Sequence, residues 1–436
     1  MTGGDPVLWN VVEEHFDEAE FLLDQWRGAL GSPRLTLALV QKTMERRLVA
    51  HLDGLVVGGM AVADKVLWPA LDNETEAPPT RVAAATLALL LALDGAITQR
   101  VIDLFTTTDS DALLAGLRLG FQLTSRTDVD EPLRLALYAV DAPAAQIALL
   151  DVLAARRVDP GPILGALLQS PNNDVVRAAL GAAPASDPRM YQYTIESLLA
   201  HDVPGTRSAA MRTALIWNMS SGWRTCLAEA RAGAAPAMPF LALLGGTGEL
   251  GLLADALRSA EQRGAALFAL GFYGRRDAVD ACLPFLDDPD EKVAKLAVEA
   301  IAAITDLPLF DKPFAQSPAE DAGADELPPL EEDLAADLMP KQVDEIPLPD
   351  AKAVRAWWSE RRASFDANQR YLRGKVLSAA AIQDALTLGP LWRSGPFLDE
   401  IGVRSGGRVQ LPAFRIDGGT PVLPPDVSLH RHPAWR

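Results

Sequence analysis

Cysteine and histidine are scarce in this chain. It has two cysteines in 436 residues, Cys226 and Cys282, and only five histidines. Both cysteines stand in apolar surroundings of helical character and have no CxxC spacing. We therefore interpret them as small buried residues rather than as a redox pair. This usage fits a reducing compartment, and we expect a cytoplasmic protein.

Long apolar runs are also lacking. The longest, Val82–Leu93, stops at Asp94 and is too short to span a bilayer. The N-terminal residues have neither the basic region nor the apolar region of a signal peptide. We therefore expect no signal peptide, no membrane-spanning segment and no membrane partner.

Positive charge is in short supply. Asp and Glu number 58 against 40 Lys and Arg, which gives a formal net charge of −18. Nucleic acids and anionic membrane surfaces require a basic face, so we expect neither as a partner, although a local basic patch stays open. Aromatic residues make up 6% of the chain, while Ala and Leu dominate a hydrophobic content of 49%. That balance is typical of closely packed helices.

The clearest helical pattern lies in Pro289–Asp306. Asp290 or Pro289 is placed to begin the helix. The apolar residues recur at helical spacing and form one stripe: Val293, Leu296, Ala297, Ala300, Ile301 and Ile304. Three charged residues fall off the stripe: Lys292, Lys295 and Glu299. Asp277–Leu286 predicts a second short helix, so the two form a unit that needs neighbours to bury its faces.

The same unit recurs along the chain with a period of about 30 residues. The recurring second helix begins with a branched or polar residue, then Arg, then small apolar residues, as in Thr80–Ala84, Val176–Leu180 and Thr206–Ala210. In the clearest repeat Ala294 replaces the Arg. Loops rich in Asp, Pro, Asn or Ser precede these helices. The periodicity predicts a stack of helix pairs from about Thr80 onward.

These repeats carry a family resemblance. The segment ALFALGFYGRRDAVDACLPFLDDPDEKVAKLAVEAIAAI, within Gly264–Ile304, resembles short HEAT repeats of the phycobilin-lyase type. The likeness continues more faintly over Thr80–Trp217. It implies a curved solenoid with a concave binding face.

Three further stretches are similar to an uncharacterised family of bacterial proteins. They are residues 9–26 (WNVVEEHFDEAEFLLDQW), 46–59 (RRLVAHLDGLVVGG) and 371–401, which ends in LTLGPLWRSGPFLDEI. That family is associated with HEAT-like repeats and often with type VI secretion loci. The resemblance implies a repeat scaffold that acts as an accessory in that setting, and it brings no catalytic residues.

We predict four regions: an N-terminal helical cap (1–78), the solenoid (79–312), an acidic, proline-rich linker (313–350) and a C-terminal helical module with an irregular tail (351–436). The linker is either a solvated tether or an acidic arm that docks on a basic partner or on the solenoid itself. Because the stability of stacked repeats is a sum of neighbour contacts, we expect the solenoid to stay folded without the linker and the tail.

Local patterns predict the elements outside the repeats. Thr36–Leu52 is expected to be a helix ended by Asp53 and Gly54, with Gly54 in the left-handed conformation. In the C-terminal module we expect helices at Ala351–Lys375, Ala379–Leu388 and Leu391–Ile401. Irregular chain or a short hairpin is expected around Arg408–Arg415.

Motifs that carry chemistry are weak. Gly246–Gly251 (GTGELG) matches GxGxxG, but the run before it is not β-branched and no βαβ alternation surrounds it, so we interpret it as an inter-helix turn. His430 and His432 have HxH spacing without a nearby third ligand. His51 and Asp53 fit a helix end. We therefore predict no catalytic residues, no cofactor and no metal site.

Trp357 and Trp358, with Arg361 and Arg362, are the foremost candidates for a partner-binding surface, because aromatic and Arg side chains mark binding hot spots. Adjacent tryptophans cannot share one face of a helix. Either one packs on the solenoid while the other is half exposed, or both are buried against neighbouring helices. Arg177 and Arg207, in the recurring helices, are further candidates.

The sequence thus predicts an all-α protein, a HEAT-like helical-repeat solenoid with an N-terminal helical cap and a small C-terminal helical module. We predict a non-enzymatic protein-interaction scaffold: an accessory, adaptor or chaperone-like partner of a type VI secretion component or effector, or an immunity-type inhibitor. The alternative is a lyase-like HEAT-repeat enzyme acting on a tetrapyrrole or other cofactor, or a small-molecule carrier. Titratable residues converging in the groove favour an enzyme, whereas a groove of Ala, Leu and scattered Arg favours binding.

Overall fold

The computed structural model describes residues 7–72, 76–92, 94–316, 341–411, 415–416 and 422–424. Helices dominate this part of the chain, and its strands are confined to one two-stranded hairpin. The helices stack in sequence order, so the fold is an all-α helical-repeat solenoid. Its apolar side chains form one continuous core that includes residues from both ends of the chain.

The N-terminal part consists of helix α1 (Trp9–Ala29) and a second helical segment. That segment comprises α2 (Leu37–Val40), a π-helical turn (Gln41–Glu45), α3 (Arg46–Val57), α4 (Gly59–Val62), a second π-helical turn (Ala63–Leu67) and a 3-10 turn (Pro69–Leu71). Helices α1 and α3 pack on each other and on α5 (Pro79–Leu91), the first helix of the stack.

The expectation that Asp53 and Gly54 end a helix is wrong. Helix α3 continues through both residues to Val57, and the left-handed glycine is Gly59, with φ of 61°. Gly54 has a packing role instead. A Cβ at this position would lie 2.7 Å from the His15 ring, so only glycine lets that ring approach the helix.

The repeated helices form the main layer and begin at nearly constant spacing, except that α17 follows α15 at a shorter interval. They are α5, α7 (Asp111–Leu123), α9 (Pro143–Arg156), α11 (Asn173–Ala182), α13 (Pro204–Ile216), α15 (Ala237–Leu244), α17 (Ala260–Tyr273) and α19 (Glu291–Thr305). Each packs on the next from α5 to α13 and again from α15 to α19. Helix α14 (Ser220–Arg231) packs against both α13 and α15 and joins the two runs.

Shorter helices form a second layer on one side of the stack. They are α6 (Gly95–Thr107), α8 (Asp130–Tyr138), α10 (Leu164–Leu167), α12 (Pro188–Leu198), α16 (Leu250–Ala256) and α18 (Arg276–Cys282). Each packs on its neighbours in the main layer. Side-chain caps explain where many helices of both layers begin, because an Asp, Asn or Ser oxygen accepts the first free backbone N–H groups. Such caps are Asp94, Ser110, Asn172, Asp187 and Asp290.

Helix α19 confirms the apolar stripe, and of the three charged residues off it Lys292 is exposed whereas Glu299 is buried. Asp290 caps the helix by accepting from the Lys292 N–H at 3.0 Å. Glu299, which the sequence places off the stripe, is 2% exposed and forms an ion pair with Arg393. The C-terminal module covers this side of α19, so the helix is buried on two faces.

The C-terminal module contains α20 (Ala351–Arg361), a 3-10 turn (Arg362–Ser364), strands β1 (Tyr371–Leu372) and β2 (Lys375–Val376), α21 (Ala379–Leu388), a 3-10 turn (Leu391–Arg393) and α22 (Ser394–Arg404). One helix over Ala351–Lys375 is therefore wrong, because a hairpin occupies its second half. Arg373 and Gly374 both have positive φ, which suits a tight two-residue turn. The hairpin expected around Arg408–Arg415 falls partly outside the described residues, and its described part forms no strand.

Most of the module lies against the main layer, since α22 packs on α13 and α15 and strand β1 packs on α19, whereas α20 packs on the 3-10 turn Leu283–Asp287 that follows α18. At one end of the stack its Leu391 N–H donates to the Leu35 carbonyl at 3.0 Å, and at the other its Arg373 N–H donates to the Ala303 carbonyl at 2.9 Å. The stack therefore curves around the module, and the concave face predicted for partner binding is largely filled by the chain itself.

The acidic linker is only partly described, since residues 317–340 lie outside the described ranges. Its flanks meet, because Ala315 and Pro349 form an antiparallel bridge and the Gln316 N–H donates to the Leu348 carbonyl at 2.8 Å. Ile346 is 1% exposed, and Glu345 accepts a hydrogen bond from Ser32 at 2.6 Å. A tether solvated over its whole length is thus wrong for residues 341–350, which pack on the protein.

Within the described ranges, no single helix is both long enough and apolar enough to cross a membrane. One bent pair, Leu37–Val57 with Gly59–Leu71, passes the test by length and composition, with 103° between its halves.

Candidate functional site

The structure brings together the four candidates on α20 and the 3-10 turn that follows it. Trp358 is buried and donates from Nε1 to Asp280 on α18 at 2.9 Å. Arg362 donates to both oxygens of the same carboxylate from Nε and to one of them from Nη2. Burial raises the pKa of Asp280, but Arg362 and Trp358 outweigh it and leave that pKa below its usual value. These two residues therefore attach α20 to the solenoid and are engaged within the chain.

Trp357 is the half-exposed member of the pair. It packs edge-to-face on Phe314, with ring centroids 6.3 Å apart, and the Arg361 guanidinium lies 4.6 Å above its ring. One tryptophan on the solenoid and one at the surface is the first of the two arrangements that the sequence allowed. This cluster sits beside the bridge between Ala315 and Pro349.

Arg177 and Arg207 lie elsewhere. Arg177 is exposed on α11 and pairs with Asp174 one turn away. Arg207, on α13, donates to Glu229 at 2.8 Å and to the His201 carbonyl at 2.7 Å. Both support local structure, and neither lines the groove described next.

An open cavity remains where the module meets the curve of the solenoid, and we call it the groove cavity. Its volume is about 770 Å³. Its walls come from α1, α7, α9 and the C-terminal module, and its lining includes Trp26, Leu30, Ala115, Leu119, Leu123, Ala155, Leu391, Trp392 and Leu398. The size and the apolar walls are typical of sites for small organic molecules.

Polar groups are few in the groove cavity. In the wall of the cavity, Arg118 donates a hydrogen bond to Asp151 at 2.8 Å. Burial raises the pKa of Asp151, although Arg118 acts to lower it. Arg27 also lines the cavity and has no carboxylate partner among the described residues. The lining of Ala, Leu and scattered Arg is the pattern expected of a binding groove.

A smaller cavity of about 320 Å³ lies on the other side of the first turn of α22, with Gly395 and Leu398 in both linings. Arg212 here makes a two-pronged ion pair with Asp399. Arg157 donates to the Leu411 carbonyl at 2.9 Å and pairs with no described carboxylate. Burial and the nearby Arg212 lower the pKa of Arg157 to about 10.

The convex side presents exposed apolar residues in two pairs, each pair one helical turn apart. They are Leu135 and Tyr138 on α8, and Met190 and Tyr193 on α12. Tyr193 is 79% exposed. We call these four residues the outer patch. Their helices flank one loop, because the Tyr138 and Tyr191 hydroxyls reach the carbonyls of Pro160 and Gly161.

Other groups with potential chemistry take structural positions. Cys226 and Cys282 are free and buried as predicted, and burial raises both pKa values to about 12. The GxGxxG stretch runs from the turn after α15 into α16, so its interpretation as an inter-helix turn is confirmed. Among the described residues, no three His, Cys, Asp or Glu side chains group as metal ligands. His430 and His432 lie outside the described residues.

One histidine pair was not predicted. His15 and His51 approach with Nδ1 atoms 3.0 Å apart. Burial and the neighbouring His15 lower the pKa of His51 below its usual value. The pair joins α1 to α3. The sequence showed only that each histidine lies in a helical stretch, which does not indicate that the two meet.

The groove cavity was also beyond sequence analysis. Trp26 and Ser394 come from segments outside the repeats, and no repeat period relates them to Arg118 and Asp151.

No protein-family model matches the chain, and no curated protein matches it. Among solved structures, the crystal structure of an engineered protein is similar, with a TM-score of 0.29 and 18% identity over 67% of this chain and 84% of that chain. The assignment of the fold rests on the helix contacts described above.

Proposed function

We propose that the chain is a non-enzymatic protein-interaction scaffold whose partner docks on the outer patch. The observation that carries this proposal is the division of its two faces. The concave face is largely filled by the C-terminal module, whereas the convex face exposes Leu135, Tyr138, Met190 and Tyr193. Exposed tyrosines at a helical surface supply large apolar contact area with a polar end, which favours protein interfaces.

The partner we propose is a component or effector of type VI secretion. The similarity of residues 9–26, 46–59 and 371–401 to a family associated with those loci supports this choice. The net charge of −18 supports a partner surface that is basic around an apolar centre. In this role the chain acts as an accessory, adaptor or chaperone-like protein.

Affinity purification of the tagged full-length protein from its native cells tests both parts of the proposal. We expect a secretion spike, sheath or effector protein at near-equal amount. The double variant Met190→Ser and Tyr193→Ser is expected to reduce its recovery at least tenfold. The matched control replaces Val57 and Met60, which are 87% and 55% exposed near the N-terminal cap. It should retain the partner.

Two results would overturn the proposal. Equal recovery with both double variants would remove the outer patch as the docking surface. Recovery of no macromolecule, together with a small molecule bound to the purified protein, would replace the scaffold with a carrier or an enzyme.

A further inference from the structure

We propose that the groove cavity binds an apolar organic carboxylate. The first support is its shape. At about 770 Å³, with walls of Leu, Ala and Trp side chains, the cavity holds an apolar body of small-molecule size. The site lies on the concave side, so it goes beyond docking on the outer patch and does not depend on it.

The second support is a pair of buried hydrogen-bond donors in the cavity wall. Trp26 and Ser394 both line the cavity and are each 2% exposed. Neither the Trp26 Nε1 nor the Ser394 Oγ has a hydrogen-bond partner in the described part of the chain. A buried donor without a partner is costly. An acceptor oxygen of a ligand would satisfy either group.

The third support is charge. The cavity is lined by Arg27 and Arg118 but by one carboxylate, Asp151. Asp151 is engaged by Arg118, which leaves Arg27 without an acidic partner among the described residues. An excess of positive charge at this position contrasts with the net charge of −18 for the whole chain. It favours a ligand whose polar end is an anion.

Together these features define the ligand class. The two unsatisfied groups donate hydrogen bonds, Arg27 adds a positive charge, and the remaining surface is apolar. A carboxylate group on an apolar chain or ring system matches all three features. A neutral molecule of the same shape matches only the apolar surface.

Equilibrium binding of radiolabelled oleate to the full-length protein, below the concentration at which oleate forms micelles, tests the proposal. We expect saturable binding at one site per chain. Oleyl alcohol, which keeps the chain and lacks the charge, should bind at least tenfold more weakly. Absence of saturable oleate binding, or equal binding of oleyl alcohol, would overturn the proposal.

Variants locate the site. Arg27→Met should weaken oleate binding by about tenfold, as loss of a charge-assisted hydrogen bond does. Ser394→Ala should weaken it several-fold, and Asp151→Asn should strengthen it because the only carboxylate in the lining is removed. Ala115→Trp fills the cavity and should abolish binding. Arg177→Met, which changes an exposed arginine outside the lining, is the matched control.

The variants also separate this site from the outer patch. Thermal unfolding of each variant shows whether it is folded, and Arg27→Met keeps the test decisive if Ala115→Trp does not fold. Oleate binding that is unchanged by Arg27→Met, Ser394→Ala and Asp151→Asn would overturn the proposal. The double variant at Met190 and Tyr193 should bind oleate as the native protein does.

Discussion

The solenoid and the C-terminal module, which meet at the concave face, are stabilised by different interactions. On the solenoid side, successive helices pack through small apolar residues, as between α5 and α7. The C-terminal module also contributes apolar residues, but it is fixed by buried ion pairs. Arg393 pairs with Glu299 on α19. Within the module Glu400 lies between Arg370 and Arg404, and both guanidinium groups also donate to the Leu243 carbonyl on α15. Apolar periodicity builds the stack, and charge specifies where the module sits on it.

This difference explains why the module is part of the fold. Arg393 lies within 4.7 Å of the Phe268 and Phe272 ring centroids, and its guanidinium fills the space beside Gly271. Removal of the module would expose these rings together with the side of α19 that carries Glu299. Because the neighbour contacts of the solenoid include the module, we expect the solenoid to lose stability without the linker and tail, contrary to the prediction made from the sequence.

The largest loss of stability is expected from breaking the buried ion pair between Glu299 and Arg393. Glu299→Gln leaves the Arg393 charge buried without a counter-ion, and breaking such a pair costs about 3 kcal/mol. Urea denaturation of the full-length protein measures this loss. The control is Asp306→Asn, which removes the more exposed ion pair with Arg373 at 3.1 Å. The control should cost at most about 1 kcal/mol. Equal losses would mean that burial does not set the strength of these pairs.

Acid should weaken the module through Glu400. Burial raises the pKa of Glu400, but Arg370 and Arg404 outweigh it, so the pKa in the folded protein lies below the usual value. The unfolded chain then binds more protons at low pH. The contribution to stability is complete above the unfolded pKa of about 4.3 and is lost as pH falls through the folded pKa.

Urea unfolding at pH 7 and pH 3.5 measures this loss. Glu400→Gln should be less stable than the native protein at pH 7 and should lose less on acidification. Asp384→Asn, at a half-exposed pair with Lys375, should follow the native protein. If Glu400→Gln loses as much stability on acidification as the native protein does, a group other than Glu400 is responsible for the loss.

Overpacking tests the apolar side of the comparison. Gly116 lies where α7 meets α5, and a Cβ there would stand 2.7 Å from the Pro79 carbonyl oxygen and against Val82. Gly116→Ala should therefore destabilise the protein by about 2 kcal/mol. Gly28→Ala, in α1 with open space around the added Cβ, should be neutral or stabilising by up to about 1 kcal/mol. Similar behaviour of the two variants would contradict the close contact of α5 and α7.

The smallest effect concerns the histidine pair. Because the pKa of His51 in the folded protein lies below its usual value, the unfolded chain binds the proton more readily. Stability should decline slightly as pH falls below about 6.5, and the ring's partial exposure keeps the effect small. His51→Gln should remove this decline in urea unfolding at pH 7 and pH 5.5. His201→Gln should leave this decline unchanged. A decline that persists in His51→Gln and disappears in His201→Gln would assign the effect to His201 instead.

The sequence predicts the solenoid side well and the module side poorly. Val293, Ala297 and Ile301 recur at helical spacing, so the helix and its buried face follow from local pattern. The face of Glu299 could not be predicted, because its partner Arg393 lies 94 residues away and no periodicity relates the two. From sequence alone, a charged residue is assigned to a solvent-exposed face unless the segment that covers it in the folded protein is known.

The candidate site divides in the same way. Trp357 and Trp358 were recognisable from their adjacency and from the nearby arginines, and their division into one buried and one half-exposed ring follows from helix geometry. The groove cavity was not recognisable, because its walls come from three segments that meet only in the folded protein.

The measurement that tests the central claim most directly is urea-dependent hydrogen exchange on the intact protein. If the solenoid and the C-terminal module form one unit, the slowest amides of α17, α19 and α22 should exchange with the same opening free energy and the same urea dependence. A much lower opening free energy for α22 than for α17 and α19 would contradict the claim. It would show that the module detaches while the solenoid stays folded.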